Sequence, residues 1–285
     1  MRRCEDGMCD TRLRYFESRI AAHAKIPFSE GMVQFYRLLL EMQSRECHRL
    51  RNEKLPELTA AQIPLSIKGE EILRSSAVRE IVVPGVPSLI SLIHSERSDI
   101  GPAVGDAIIA EETLLGRMTT ALLCSDTEGI ARAASEIGIG TDDCAFIAAN
   151  LSRPLLTVWR EKTPIPDGGE PDSHCSFCGH QAGMAVLVAG AEGGRYLCCT
   201  LCGNRWRYKR IACAVCGNED ASRLIVLSLE EDPRLRLDCC ETCGSYLKTV
   251  SLDRAPAEDW PDAFVEDILS AHLDTSALTA GYRRA

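Results

Sequence analysis

The sequence predicts an α+β chain: an all-α N-terminal domain, then two tandem four-cysteine modules built on short hairpins, then a C-terminal helix. Three observations carry this. Ten of the fifteen cysteines fall between Cys175 and Cys243, and eight of those ten make four Cys-x-x-Cys-Gly knuckles. Before Thr163 the apolar residues recur at helical spacing. Aromatic residues make up only 5% of the chain, which suits Leu/Ala/Ile-packed helices better than a β-sandwich.

The chain has 285 residues, enough for one large or two modest domains with a sizeable core. Apolar residues at 45% and charged residues at 26% argue against disorder or a fibre. No apolar run approaches the ~20 residues a bilayer requires. The charged start Met1-Arg2-Arg3-Cys4-Glu5-Asp6 lacks the apolar core of a signal peptide. The expectation is a soluble cytoplasmic protein with no membrane role. A net charge of −9 speaks against a general nucleic-acid coat, because such a chain gains nothing from counterion release. In a reducing compartment so many cysteines point to metal or redox chemistry and away from a disulfide framework.

The run Thr163-Pro164-Ile165-Pro166-Asp167-Gly168-Gly169-Glu170-Pro171 reads as a linker. It separates a helical domain (1–165) from a first module (172–211) and a second module with the terminal helix (212–285). In the first domain, Met32, Val33, Phe35, Tyr36, Leu38, Leu39, Leu40 and Met42 predict one helix. Leu89, Ile90, Leu92 and Ile93 predict a short one opened by Pro87 and Ser88. Val104 to Cys124 predicts a single longer helix, and Ser125 with Glu128 a capping box for the next. Thr141-Asp142-Asp143 caps a last helix to about Trp159, bent or broken at Pro154. His23, His48 and His94 stand singly on helical patterns and read as structural. Cys9 is placed in a loose terminus with Cys4, and Cys47, Cys124 and Cys144 on helices, with no functional role.

Beyond the linker, Met184–Ala189 and Arg195–Cys199 predict two strands around a turn at 190–194. Arg223–Leu229 and Leu235–Cys239 predict a second pair around Glu231-Asp232-Pro233. Each hairpin lies between two knuckles, so one supersecondary unit is used twice. Ala263 to Leu273 predicts an amphipathic helix started by Pro261 and Asp262.

The knuckles are Cys175-Ser-Phe-Cys178-Gly179, Cys199-Thr-Leu-Cys202-Gly203, Cys213-Ala-Val-Cys216-Gly217 and Cys240-Glu-Thr-Cys243-Gly244. Two intervening residues let a tight turn aim both sulfurs at one cation, while turn amides disperse thiolate charge. Glycine after the second cysteine supplies positive φ without a Cβ clash. Two knuckles make a tetrahedral four-thiolate site. Sequential pairing puts Cys175, Cys178, Cys199 and Cys202 in site 1 and Cys213, Cys216, Cys240 and Cys243 in site 2. A cross-braced pairing stays open, and so does the choice between zinc and iron. Arg195, Arg205, Arg207, Lys209 and Arg210 form a basic strip that would either screen the thiolates or sit solvated. Cys198 and Cys239 precede knuckles at equivalent places and should point away from the metal as packed thiols. His174 and His180 flank the first knuckle, but eight cysteines already fill two sites.

The run Gly194-Arg195-Tyr196-Leu197, the pairs Cys199-x-x-Cys202 and Cys213-x-x-Cys216 with Trp206 and Arg210 between them, and Cys240-x-x-Cys243-Gly244-x-Tyr246-Leu247-Lys248 resemble the FdhE family of formate dehydrogenase accessory proteins. The tail adds Glu266-Asp267-Ile268-Leu269, His272-Leu273-Asp274 and Gly281-Tyr282-Arg283, so the likeness covers about 174–284. Ser176 stands where the family more often has proline. The resemblance implies two rubredoxin-like (zinc-ribbon-like) modules with two metal ions, iron favoured and zinc open. It implies no enzyme, but a cytoplasmic maturation factor that binds the catalytic subunit of a molybdenum- or tungsten-containing formate dehydrogenase. Arg195, Trp206, Arg210, Tyr246 and Lys248 are the candidate partner contacts. A zinc-ribbon nucleic-acid adaptor and a thiolate-iron redox protein are the competing readings, and a homo-oligomer stays open.

Overall fold

The computed structural model describes residues 7–22, 29–165, 172–189, 193–228, 232–252 and 260–284. Cys4, His23, the linker from 166 to 171, the turn centre at 190–192 and the segment 229–231 lie outside the described residues. The described residues form two compact units, one helical and including Phe177–His180, the other built on a sheet.

The helical unit begins with α1 (Met8–Ala22) and α2 (Glu30–Asn52), whose N-terminus is capped by the Ser29 hydroxyl accepting from the Met32 amide. α3 (Leu65–Lys68), α4 (Glu70–Leu73), α5 (Ser76–Val82), α6 (Val86–Glu96), α7 (Pro102–Ala110), α8 (Leu114–Leu123), α9 (Thr127–Ile137) and α10 (Thr141–Lys162) follow. α10 packs against α1, α2, α8 and α9 and buries Cys144, Ile147, Leu151, Leu155 and Trp159. Each such large apolar side chain contributes about 1.5–3 kcal/mol by leaving water. The Gln43 amide donates to Asn150 Oδ1 at 2.8 Å inside this core, and Trp159 Nε1 donates to the Pro56 carbonyl at 2.9 Å.

Several local expectations are corrected. The single helix expected over Val104–Cys124 is two helices, because Glu111 Oε1 accepts from both the amide and the hydroxyl of Thr113 and closes a turn there. Asp126 caps α9 through the Gly129 amide, in place of Ser125, which itself sits at φ 54°. α10 runs unbroken through Pro154; Asn150 to Trp159 are buried without interruption, so packing on all sides offsets the lost ladder bond. Cys9 and Cys47, read as unpaired, form a disulfide that ties α1 to α2. The run Ser76–Glu96 is long and apolar enough to cross a membrane by length and composition, contrary to the expectation of no such run. Here it forms α5, a 3-10 turn with Pro84, and α6, with Val78, Val82, Val86, Leu89, Ile90 and Ile93 buried in the helical core.

The sheet unit contains β1 (Met184–Val188), β2 (Gly194–Cys198), β3 (Arg205–Tyr208), β4 (Leu224–Ser228), β5 (Leu235–Cys240) and β6 (Ser245–Leu252), then α11 (Ala263–Leu269), α12 (Ala271–Thr279) and β7 (Arg283–Arg284). The two expected hairpins are present as β1–β2 and β4–β5. They are not separate: the order is β3-β2-β1-β6-β5-β4 in one seven-stranded sheet, with β7 on β6. β1 and β6 join the halves in parallel, Met184 opposite Lys248 and Val188 opposite Leu252. Alternation then sorts the side chains. Met184, Leu237, Cys239, Tyr246 and Val250 share one face with Leu273 and Ala277 of α12. Ala185, Leu197 and Leu247 share the other with Ala212 and Ala214. The expected terminal helix is interrupted at Ser270, whose hydroxyl donates to the Glu266 carbonyl, while Asp262 caps its start through the Val265 amide. A helical N-terminal region, a sheet with four-cysteine clusters and C-terminal helices thus agree with the predicted class.

Candidate metal centres

Each knuckle reverses the chain within one turn. In three of them the glycine amide donates to the carbonyl of the first cysteine, from Gly203 to Cys199, Gly217 to Cys213 and Gly244 to Cys240. All four knuckle glycines have φ between 68° and 83°, as the sequence argument requires. This turn aims both sulfurs of a pair to one side.

The hairpins then bring the pairs together sequentially. The sulfurs of Cys175, Cys178, Cys199 and Cys202 lie within 4.8 Å of one another, and so do those of Cys213, Cys216, Cys240 and Cys243. Sγ–Sγ separations are 3.6 Å for Cys175–Cys202, 3.7 Å for Cys213–Cys243 and 3.8 Å for Cys216–Cys240. A tetrahedron with metal–sulfur bonds of about 2.3 Å has edges near 3.8 Å, so both donor sets fit a four-thiolate ion. Zinc and a single iron share this geometry.

Amides point at the sulfurs, as thiolates require. Cys202 N donates to Cys199 Sγ at 3.5 Å and Val215 N to Cys213 Sγ at 3.3 Å. Burial pushes the Cys240 thiol up, but the Cys243 and Thr242 amides and the neighbouring sulfurs outweigh it and bring the value to about 7. Asn204 is a contact the sequence reading missed: its buried Nδ2 donates to Cys175 Sγ at 3.5 Å and to Ser176 Oγ at 3.0 Å. Its signal was present, since Asn204 and Asn218 both follow a knuckle glycine, and their carbonyls accept from the Cys199 and Cys213 amides.

Three of the remaining cysteines, Cys144, Cys198 and Cys239, are buried thiols. Cys198 and Cys239 sit on strands and are buried, and burial raises their thiols to about 12 and about 11. Cys239 lies on the α12 side of the sheet, away from the sulfurs of its own knuckle. Cys144 is likewise raised to about 11 by burial. His174 is exposed beside Asp172, and His180 Nδ1 lies 3.1 Å from the Leu122 carbonyl; neither stands in a sulfur cluster.

Three of the five candidate partner contacts are corrected. Arg195, Tyr246 and Lys248 are 3%, 2% and 1% exposed. Arg195 donates to the Ala212 carbonyl and to Asp238. Lys248 Nζ binds Asp267 and, at 2.9 Å, Asp274, and the Tyr246 hydroxyl donates to Asp274 at 2.6 Å. Asp267 is pushed up by burial, but Lys248 and Arg284 together hold it below the ordinary carboxylate range. A lysine in this sequence context reads as solvated; here it is the counterion that allows two carboxylates inside the sheet unit. Trp206 is half-buried, its indole donating to the Asp172 carbonyl at 2.7 Å, while Arg210 is exposed. The basic strip is dispersed: Arg205 lies over the Trp260 ring at 4.8 Å and Lys209 pairs with Glu219.

Comparison with known proteins accords with this geometry. A family model for the FdhE central domain matches residues 174–210. The chain is 31% identical over 150 residues to the FdhE homolog of Aquifex aeolicus, covering 52% of each. It is 38% identical over 119 residues to the homolog of Pseudomonas aeruginosa, covering 39% of this chain and 37% of that protein. The chain spans about half the length of the curated relatives it matches. The crystal structure of the FdhE protein from Pseudomonas aeruginosa superposes with a TM-score of 0.67 at 22% identity, over 97% of this chain and 93% of that one, a likeness of fold. The resemblance read from the knuckles and the tail is therefore to FdhE proteins, and it extends through the fold.

Proposed function

We propose that this chain is a cytoplasmic maturation factor that loads each four-cysteine cluster with iron and docks onto the catalytic subunit of a formate dehydrogenase. The observation that carries the reading is the pair of four-sulfur clusters, each gathered within 4.8 Å, where separations of 3.6 Å in the first and 3.7 and 3.8 Å in the second match the edge of a thiolate-bound ion. The likeness to FdhE proteins supplies the client class. In this reading the metals hold the sheet and make the turns rigid, and the chain itself catalyses no reaction.

The test combines metal analysis with capture. Protein purified without oxygen should carry two iron atoms per chain and show the visible absorbance of ferric tetrathiolate after oxidation. The tagged, loaded chain should retain the formate dehydrogenase catalytic subunit. Colourless protein with two zinc ions would remove iron from the proposal. Failure to retain the subunit from either aerobic or anaerobic extracts would remove the client.

A further inference from the structure

The edges of the sheet differ in a way that metal binding does not explain. β3 is one edge and carries Arg205 and Arg207, both exposed, the usual protection against unwanted strand pairing. β4 is the other, and its sequence Leu224-Ile-Val-Leu-Ser228 has no charge and no proline. Val226 is 49% exposed, and Ile211 nearby is 59% exposed. Among the described residues β4 pairs only with β5.

The register shows which groups are open. The Glu241 amide donates to the Arg223 carbonyl, so Ile225 and Leu227 face Cys239 and Leu237 as hydrogen-bonded pairs. The amides and carbonyls of Leu224, Val226 and Ser228 then point away from β5. The internal repeat supplies a template. β4 corresponds to β1, as the first strand of its hairpin, and the outer edge of β1 is filled by a parallel strand, β6. Among the described residues the matching edge of β4 has no such strand.

Beside that edge lies a cavity of about 250 Å³ within the sheet unit. Leu224, Val226, Leu247 and Val215 give it apolar walls. Arg195, Arg210, Arg236 and Asp238 also line it, three cations against one carboxylate. Arg195 is almost wholly buried with its Nε unpartnered, and Arg236 Nε lies 2.8 Å from Asp238 Oδ1 without hydrogen-bond alignment. The site therefore offers a strand edge, an apolar recess and unspent positive charge.

We propose that β4 takes up an extended segment of the client as an added parallel strand, its acidic and apolar side chains taking turns at every second position so that both lie on one face. Its apolar side chains enter the recess, and carboxylates on that same face meet Arg236 and the exposed Arg210. A second copy of this chain is the poorer occupant, because either of its edges would bring arginine to a site already rich in it: Arg205 and Arg207 with β3, or Arg210 and Arg236 beside β4. The inference rests on the client-docking reading and names the chemistry of the docked segment.

The experiment measures fluorescence anisotropy of a labelled peptide repeating valine-serine-glutamate-serine, which presents valine and glutamate on one face, with the full, metal-loaded chain. Controls are the same peptide with lysine for glutamate, and with alternate amides N-methylated. The glutamate peptide should bind, and both controls should bind about tenfold or more weakly. Val226→Pro removes an amide that the sheet does not use, so metal content should hold while affinity falls about tenfold; Arg236→Glu should act likewise. Equal binding of the lysine peptide overturns the charge match, and equal binding of the N-methylated peptide overturns strand addition. Self-association that Val226→Pro abolishes would assign the edge to a second copy instead. If Val226→Pro still captures the catalytic subunit, the β4 site is wrong and the client reading stands. If the wild-type chain binds the glutamate peptide but captures no subunit, the strand site stands and the client reading falls.

Discussion

Cys175, Cys178, Cys199 and Cys202 are all buried, whereas in the second cluster Cys216 is exposed and Cys243 half-buried. Both clusters are built from the same Cys-x-x-Cys-Gly pattern, and in both the sulfurs lie within 4.8 Å of one another. Around the first cluster, Asn204 reaches in from one side, and the Leu65 and Ser66 amides donate to the carbonyls of Phe177 and Cys178. The third knuckle has no comparable cover at Gly217, where a Cβ would meet nothing within 4 Å. The pentapeptide thus sets the tetrahedron, and the surrounding chain sets how far solvent can approach it.

The largest expected effect separates the clusters by access. Chelator added to the loaded protein should remove metal in two phases, the fast one about tenfold quicker or more, as expected for exposed against buried thiolates. Cys240→Ser should abolish the fast phase and Cys202→Ser the slow one, each leaving one ion per chain, as followed by a colorimetric metal indicator. A single phase in the wild-type chain would break the comparison.

The next effect asks what supports the more open cluster. Lys248 lies on β6, next to β5, which leads into the fourth knuckle. Lys248→Met leaves Asp267 and Asp274 with only the more exposed Arg284 as counter-ion and should cost about 3–5 kcal/mol in urea unfolding. The fast chelation phase should accelerate more than the slow one. Equal acceleration would mean that the sheet supports both clusters alike.

The smallest effect compares two glycines. Gly217→Ala should cost about 1–2 kcal/mol, the penalty of a left-handed backbone alone. Gly179→Ala should cost more, because its Cβ would overlap the Ser66 side chain. Equal losses would show that Ser66 yields without resistance.

Legibility followed the range of the interactions. The eight ligand cysteines, their glycines and the β1–β2 and β4–β5 hairpins are local patterns, and they were readable from spacing. Helix ends were less so, because Asp126 and Ser125 are both competent caps and only the backbone at Ser125 decides between them. β6 went unread although Ser245 to Leu252 carries strand-forming residues. What makes it central is pairing on both sides, with β5, which directly precedes it, and with β1, which lies far back in the chain. Arg195 and Lys248 were misjudged because the carboxylates that permit their burial, Asp238, Asp267 and Asp274, come from distant positions. The Cys9–Cys47 pairing likewise depends on how α1 lies against α2.

The parallel join of β1 to β6 also fixes an order of events during synthesis. A ribosome delivers β1, β2 and the first two knuckles while β6 is still untranslated. The nascent first module can gather its four sulfurs, yet one flank of β1 stays bare until Leu252 has emerged. Metal capture and completion of the sheet are therefore separate steps in time, and the interval between them is when an aggregation-prone border is open to other chains.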